Sequence, residues 1–146
     1  MTRAGILLVQ AEKVALIERH RGDLHFYTFP GGRVEEGDPL QQKVIRETGG
    51  ELCLQVKVEQ LIAITHFQQT PQYYYRVNVI NGKFGQEKGP EMMGLYTAKN
   101  GTDQASRLPE KDLLRNDIRP KSLLPVLEKL APGKCPANYL ELEAQD

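Results

Sequence analysis

The stretch that decides the fold is Pro30–Leu54, which reads PGGRVEEGDPLQQKVIRETGGELCL. It opens on Pro30-Gly31-Gly32, a combination typical of a loop, because proline and glycine interrupt regular secondary structure. Asp38 and Pro39 then predict the start of a helix, with Asp38 as the N-cap and Pro39 at the first helical position. Apolar residues at helical spacing follow, namely Leu40, Val44, Ile45 and Leu52. The helix is predicted to end near Leu52, because a diglycine weakens its last turn.

Two glutamates on this helix are candidate metal ligands. Glu47 and Glu51 are four residues apart, which places both carboxylates on one face of the helix. The Gly31-Gly32 turn can bring backbone groups close to that face, because glycine tolerates the dihedral angles required. Carboxylates together with a loop carbonyl form a hard oxygen site, which favours Mg²⁺ or Mn²⁺ acting with phosphate oxygens. Taken alone, such a glutamate pair is also typical of a solvated helix face.

The joint spacing of these residues resembles the signature of the Nudix hydrolase family (MutT-like), G-x5-E-x7-R-E-U-x-E-E-x-G-U, where U is bulky and aliphatic. The positions that match in spacing and charge are Gly32, Asp38, Arg46, Glu47 and Glu51. The resemblance implies an α/β fold, a Nudix-type α/β/α sandwich with a mixed, curved β-sheet between helices. It also implies a metal-dependent pyrophosphohydrolase that cleaves a nucleoside diphosphate linked to another group, with Mg²⁺ or Mn²⁺ as the cofactor.

The same resemblance implies roles for individual residues. Glu47 and Glu51 are expected to bind the metal ion directly, with the carbonyl of Gly31 as a third ligand. Glu47 and Arg46 are the candidate catalytic residues of the helix. Arg46 is expected to orient this segment through a salt bridge to a loop carboxylate such as Glu35, and an ordinary surface arginine is the alternative interpretation.

The chain departs from the family pattern at several positions, so its signature is degenerate. The departures are Asp38 for glutamate, Thr48 for an aliphatic residue, Gly50 for the first acid of the Glu-Glu pair, Cys53 for glycine and Lys43 for a small alanine. Lys43 lies one helical turn before Glu47, where an i,i+4 ion pair can form. The loss of one negative charge and the gain of a positive one are expected to weaken metal binding. A Nudix-fold nucleotide-binding module with weak or no catalysis is therefore the alternative function.

The candidate general bases come from a later loop. Glu87 and Glu91 flank a glycine-rich segment, and in some members of the family a glutamate on such a loop acts as the base. Either residue could also replace the acidic ligand that is missing at Gly50. Solvated loop carboxylates are the alternative interpretation of both.

Candidate substrate contacts lie on the predicted strands or at their ends. The candidates are Arg3, Arg19, Tyr75 and Arg76, with His20 grouped beside Arg19 at a strand end. Because strand side chains alternate, either Tyr73 with Tyr75 or Tyr74 with Arg76 would line a pocket. Packing in the core and on the surface is the alternative for this tyrosine cluster.

The rest of the chain predicts strands around one early helix. Strands are expected at Ala4–Gln10, Lys13–Arg19, Leu24–Phe29, Gln55–Thr70, Tyr73–Ile80 and Met92–Ala98. The first two are expected to pair as a hairpin, and Pro71 is expected to mark a turn. Leu108–Leu130 is predicted to be helical, with Pro120 opening a second helix. A single domain over residues 1–146 is expected, with 132–146 as an edge strand or a mobile tail.

Composition and charge exclude several classes of protein. The 146 residues are 40% hydrophobic and 26% charged, as in an ordinary globular domain. Lysine and arginine together number 19, and so do aspartate and glutamate. The chain therefore lacks the basic surplus that is typical of proteins that bind duplex nucleic acid. The apolar run Ala4–Val9 is too short to span a membrane, and no signal peptide is predicted.

The remaining expectations concern metals, compartment and partners. Cys53 and Cys135 form no CxxC motif, so a cysteine-based zinc site is not expected. The three histidines show no HxxxH spacing, and His25 and His66 are interpreted as packing or surface residues. The cysteine pattern favours a cytoplasmic protein, and no membrane partner is expected. The family resemblance implies a small-molecule, nucleotide-type substrate. A homodimer is compatible with the family resemblance.

Overall fold

A computed structural model describes residues 2–84, 102–130 and 138–144 of the chain. Its strands are Arg3–Leu7 (β1), Val9–Gln10 (β2), Lys13–Arg21 (β3), Leu24–Thr28 (β4), Gly31–Arg33 (β5), Leu54–Phe67 (β6), Thr70–Gly82 (β7), Thr102–Pro109 (β8), Ile118–Arg119 (β9) and Leu140–Glu143 (β10). The α-helix within these ranges is Leu40–Leu52 (α1). The same ranges contain three 3-10 segments, Glu110–Arg115, Lys121–Leu123 and Pro125–Leu130.

The strands form two mixed sheets. The first has the order β10-β6-β7-β1-β5, and the second has the order β2-β3-β4-β9 with β8 paired to β3. In the first sheet β1 runs parallel to β7 and antiparallel to β5, whose residues Gly31 and Gly32 lie opposite Gly5 and Ala4. In the second sheet β4 is antiparallel to β3 and parallel to β9. An α/β fold with mixed, curled sheets confirms the predicted fold class.

The core lies on both sides of these sheets because several strands are apolar on both faces. In β3, Val14 and Leu16 join a cluster with the 3-10 segments, whereas Ala15 and Ile17 join a cluster with α1. This is the period-two alternation of a strand that is buried on both faces. The helix inserts Val44 and Leu52, each 0% exposed, into the second cluster, and that packing fixes which helix face remains available.

The start of α1 differs slightly from the prediction. The helix begins at Leu40, its N-cap is Pro39, and no side chain caps it. Asp38 does not cap the helix, because its carboxylate instead accepts the backbone N–H of Glu35 within the preceding loop, at 3.1 Å. The helix ends at Leu52, as the sequence predicted.

The prediction of helices over Leu108–Leu130 was wrong. Leu108 lies near the end of β8, and the segment beyond it forms 3-10 turns and the two-residue strand β9. Prolines at 109, 120 and 125 explain the difference, since a proline inside a helix removes a backbone donor and clashes with the preceding turn. Pro120 precedes a 3-10 segment of three residues, not an α-helix.

Other strand and turn boundaries also differ from the predicted ones. Val9 and Gln10 pair with β3 through a turn in which Ala11 and Glu12 have φ of 51° and 64°, while Arg3–Leu7 belong to the first sheet. The turn between β6 and β7 falls before Thr70, so Pro71 lies inside β7. The alternating tail forms β10, an edge strand parallel to β6. The strand predicted at Met92–Ala98 lies outside the described residues.

No helix in the described ranges has the length and apolar character needed to cross a membrane.

Candidate active site

The helix face that carries Glu47 and Glu51 packs against the diglycine strand β5. The backbone N–H of Gly31 donates to Oε1 of Glu51 over 2.8 Å. A Cβ atom on Gly32 would lie 2.6 Å from Cδ of Glu47, so only glycine lets this carboxylate approach so closely. Both carboxylates therefore meet the Gly31-Gly32 backbone. The observed contact uses the N–H of Gly31, and its carbonyl as a metal ligand remains a prediction.

The surroundings of Glu51 disfavour its ionised form. Burial raises the pKa of the Glu51 carboxyl from 4.5 to about 7. The hydrogen bond from Gly31 lowers this pKa, the charge of Glu47 raises it, and the charges of Arg19 and Arg3 lower it. The charges of both arginines thus act on this carboxyl. Burial removes water from the Glu51 carboxylate, so its ionised form is costly when no cation is near. A bound cation would offset that lost hydration, which makes the carboxylate suited to hold one.

Lys43 occupies one side of this face. Its Nζ lies 3.0 Å from Oε1 of Glu47, and the two side chains are 13% and 27% exposed. The i,i+4 ion pair anticipated from the spacing is therefore present. A cation bound at Glu47 would compete with Lys43. Gly50 is exposed, and no heavy atom lies within 4 Å of the position that its Cβ would take.

Two other departures from the signature are accommodated locally. Thr48 is 1% exposed, and its hydroxyl donates to the carbonyl of Val44 at 2.7 Å. The polar group at an aliphatic position is thus hydrogen-bonded within the helix. Cys53 ends the helix in the left-handed conformation with φ of 62°, which glycine adopts more readily. Neither residue alters the charge on the helix face.

Arg46 approaches a loop carboxylate, but that carboxylate belongs to Asp38. Nη2 of Arg46 lies 3.8 Å from Oδ2 of Asp38, and the arginine side chain is 62% exposed. The prediction of Glu35 as the partner of Arg46 was wrong. The backbone N–H of Glu35 instead donates to the same Asp38 carboxylate. Because the ion pair is long and solvated, it contributes little to stability. A positioning role for Arg46 remains a prediction.

A cavity of about 580 Å³ is lined by residues of both sheets. Arg3 and Arg19, two of the predicted substrate contacts, line this cavity. Two further arginines and four aromatic residues line it as well, namely Arg21, Arg119, Phe26, Phe29, Phe67 and Tyr74. Glu47 and Glu51 are not among its lining residues. Arg3 and Arg19 connect the two regions, because they line the cavity and their charges act on Glu51.

The arginines of the cavity are held by neighbouring groups. Asp103 on β8 accepts from Arg19 at 2.7 Å and pairs with Arg21, also at 2.7 Å. Nε of Arg19 donates to the hydroxyl of Thr28 at 2.9 Å. The guanidinium of Arg119 lies over the ring of Phe26, 4.3 Å from its centroid. These contacts fix positive charges and an aromatic ring at one surface.

Sequence reasoning missed several of these residues. Arg21 follows Arg19 by two positions in β3, and the alternation of a strand would have placed both on one face. Phe26 lies opposite Arg19 in the β3–β4 pair, a register that only an assignment of the hairpin turn would reveal. Arg119 reaches the cavity through β9, and nothing local to its sequence indicates that position.

Three predicted substrate contacts lie elsewhere. Tyr75 is 6% exposed and packs in the core cluster with α1, on the opposite face of β7 from Tyr74. Nη2 of Arg76 donates to the carbonyl of Leu130 at 3.4 Å, beside a separate small groove. His20 lies on the face of β3 opposite to Arg19. Tyr75 and His20 face away from the cavity because successive side chains along a strand point to opposite faces.

Glu87 and Glu91, the candidate general bases, lie outside the described residues, so their roles remain predictions.

Comparison with known proteins defines the class. The NUDIX domain family matches residues 1–126, and the chain therefore belongs to the Nudix family. Among curated protein sequences, none matches the chain.

Solved structures with the same fold include several Nudix proteins. An ADP-ribose pyrophosphatase from Streptococcus suis has a TM-score of 0.68 at 13% identity, covering 97% of both chains. A NUDIX hydrolase from Nitrosomonas europaea has a TM-score of 0.67 at 22% identity, covering 97% of this chain and 77% of that one. A structure of MutT, from work on Aliivibrio salmonicida and Vibrio cholerae, has a TM-score of 0.65 at 20% identity, covering 88% and 94%. At these identities the likeness establishes the fold.

Proposed function

We propose that this chain is a Mg²⁺-dependent or Mn²⁺-dependent pyrophosphohydrolase that cleaves a nucleoside diphosphate linked to another group. One arrangement carries the proposal: two carboxylates on one helix face meet a diglycine strand, and two arginines connect that face to a cavity. Solved relatives described as an ADP-ribose pyrophosphatase and as MutT support this class of reaction. Cytoplasmic location and a homodimer remain predictions.

The donor set at the helix face fits a hard divalent cation. Because residue 32 is glycine, the Glu47 carboxylate occupies the space that a side chain on this residue would fill. An acidic group can therefore lie directly beside the backbone of β5. Glu51 is hard to ionise without a nearby positive charge. Glu47 and Glu51 would hold the ion, which when bound supplies charge neutralisation for phosphate and a more acidic water.

The side chains of the cavity would bind and orient the substrate. Arg3 and Arg19 place positive charge between the cavity and the helix face, where phosphate oxygens would be neutralised. The ring of Phe26, already covered by Arg119 on one side, offers an aromatic surface of the kind on which bases stack. Glu47 or one of the loop glutamates Glu87 and Glu91 would accept a proton from the attacking water.

Substitution of Arg3 tests the assignment of the cavity. Arg3→Gln is expected to weaken binding of a nucleoside diphosphate such as ADP about tenfold, because one charge-assisted hydrogen bond is lost. Isothermal titration calorimetry in the absence of divalent ions measures this effect. The control Arg76→Gln changes an arginine outside the cavity and should leave the affinity within about twofold. Equal effects of the two substitutions would remove the cavity from the proposal.

Hydrolysis itself is tested with a substrate panel. The protein is incubated with Mg²⁺ or Mn²⁺ and with deoxynucleoside triphosphates, ADP-ribose, nucleotide sugars and dinucleoside polyphosphates. Metal-dependent cleavage is expected for at least one class, and Glu47→Gln should reduce its rate about 100-fold or more. Glu128→Gln, which changes an exposed glutamate of a 3-10 segment, is the matched control. Cleavage that survives Glu47→Gln would argue against the proposed site.

A nucleotide-binding module with weak or no turnover is the second candidate function. Two observations favour it: Lys43 already neutralises Glu47, and residue 50 lacks a side chain. In that case the panel ligands would raise the melting temperature without forming products. Gly50→Glu separates the candidates, because the space around residue 50 admits the new carboxylate. A gain of metal affinity and rate would identify the missing acid as the limitation, and no change would count against that account.

A further inference from the structure

We propose that Glu18, His20 and His25 form a zinc site on the β3–β4 hairpin, separate from the helix face that carries Glu47 and Glu51. Within the described ranges these three residues are the one group of three or more histidine, cysteine or acidic side chains whose potential ligand atoms all lie within 4.8 Å of one another. The inference concerns a second metal site and does not depend on the proposed hydrolysis.

The register of the hairpin brings the three residues together. His20 lies directly opposite His25, and Glu18 lies opposite Tyr27, in the antiparallel pair β3–β4. Residues two apart in a strand share one face, so Glu18 and His20 project on the same side as their partners. Cross-strand neighbours on one face have Cβ atoms about 5 Å apart, which suits a shared ion.

The potential ligand atoms lie close enough to one another to share one ion. Oε2 of Glu18 lies 2.6 Å from Nε2 of His25 and 3.6 Å from Nε2 of His20. The two imidazole rings are stacked, with centroids 4.4 Å apart and an angle of 5° between their planes. A tetrahedral zinc ion with bonds of about 2.1 Å separates neighbouring ligands by about 3.4 Å. The imidazoles of His20 and His25 are 50% and 46% exposed, so both rings have room to turn toward a shared ion.

The ligand chemistry favours zinc over magnesium. Two imidazole nitrogens and one carboxylate suit a borderline ion such as Zn²⁺, whereas Mg²⁺ prefers oxygen ligands alone. The hydroxyl of Tyr27 donates to Oε2 of Glu18 at 3.3 Å, an outer-shell contact of the kind that orients a ligating carboxylate. The exposed side of the hairpin leaves a fourth position for water.

An ion at this position would link β3 to β4 across the end of the hairpin. The opposite face of the same strands supplies Arg19, Arg21 and Phe26 to the cavity. Zinc binding would therefore restrain the strands that hold the arginines. The histidines are five positions apart in sequence, which matches no helical metal motif and explains why spacing alone missed them.

Titration with Co²⁺ as a spectroscopic substitute for Zn²⁺ tests the proposal. The full chain and its Glu51→Gln variant are titrated in millimolar Mg²⁺, so that the helix face does not account for the signal. Both are expected to bind one Co²⁺ with visible absorption bands, and Zn²⁺ should displace it. His25→Ala should weaken Co²⁺ binding at least tenfold, whereas the control His66→Ala, which changes another partly exposed histidine, should not.

Hydrogen exchange supplies an independent readout. Addition of Zn²⁺ should slow amide exchange over residues 18–27 in the wild-type protein and not in His25→Ala. Unchanged melting temperatures without metal would show that the variants remain folded. Equal Co²⁺ affinities for wild type and His25→Ala, or no Co²⁺ bound by the Glu51→Gln protein, would overturn the proposal.

Discussion

Glu51→Gln is expected to abolish metal-dependent hydrolysis while making the metal-free protein more stable above pH 7. The rate should fall by about 100-fold or more, because the proposed site loses one of its two carboxylate ligands. Stability should rise because the Glu51 carboxyl is costly to ionise where it is buried. Glutamine keeps an oxygen that can accept the N–H of Gly31, so the contact with β5 is retained.

The sign of the pH dependence follows from the raised pKa. The Glu51 carboxyl has a pKa of about 7 in the folded protein and about 4.5 when unfolded. Its contribution to stability is therefore fully present below pH 4.5 and is lost as the pH rises to 7 and above. The difference corresponds to about 3 kcal/mol at most. Glu51→Gln removes this dependence, so at pH 8 the metal-free variant should exceed wild type by up to about 3 kcal/mol.

Denaturant unfolding in EDTA at several pH values measures this effect. Subtracting the wild-type profile from that of Glu51→Gln isolates the one carboxyl, since all other titrating groups are shared. Added Mg²⁺ should stabilise the wild type and leave the variant unchanged, because the ligating carboxylate must be ionised to bind. Glu128→Gln serves as the control with a flat difference profile. A variant that is no more stable at pH 8 than at pH 5, relative to wild type, would contradict the interpretation.

Gly31→Ala is expected to destabilise the protein by about 3 kcal/mol or more, or to prevent folding. Gly31 has φ of 155°, a conformation that residues with a side chain rarely adopt. A Cβ atom there would also strike the carbonyl oxygen of Ala4 and lie 2.6 Å from Cα of Gly5. These atoms belong to the paired backbone of β1, which cannot move without breaking the sheet. The melting temperature should fall by about 10 °C.

Two other glycines provide matched comparisons. Gly50→Ala adds a methyl group into open space in the helix, and it should stabilise the protein by up to about 1 kcal/mol. Gly32→Ala would contact the Glu47 side chain, which can shift, so the fold should survive while metal affinity falls. Near-equal melting temperatures for Gly31→Ala and Gly50→Ala would show that the close approach of β5 to β1 is not required.

The helix of the candidate site could be predicted closely from sequence, because its determinants are local. Spacing of four residues puts Glu47 and Glu51 on one face in any α-helix, and the same rule gave the ion pair of Lys43 with Glu47. The helix start was misplaced by one residue, because the carboxylate of Asp38 bonds within the loop instead. The segment beyond Leu108 was misassigned, since its apolar pattern outweighed the prolines that interrupt it.

Sequence spacing shows which residues of a strand share a face. It does not show which of the two faces borders the cavity, because that depends on how the strand pairs with its neighbours. Tyr74 and Tyr75 are adjacent in sequence, yet one lines the cavity and the other packs against the helix cluster. His20 and His25 form a stacked pair only because the turn between β3 and β4 sets them opposite each other. A shift of one residue in either strand would exchange these faces.

By itself, the sequence determined the family and the fold class, because its signature resembles that of the Nudix family. It also determined the acidic helix face and the glycines that approach it, since both follow from short-range spacing and backbone freedom. Only the tertiary structure decided which arginines share a cavity, that Glu51 is buried near Arg3 and Arg19, and that two histidines meet across a hairpin. These features join residues far apart in the chain or on separate strands, and their distances are set by packing and register.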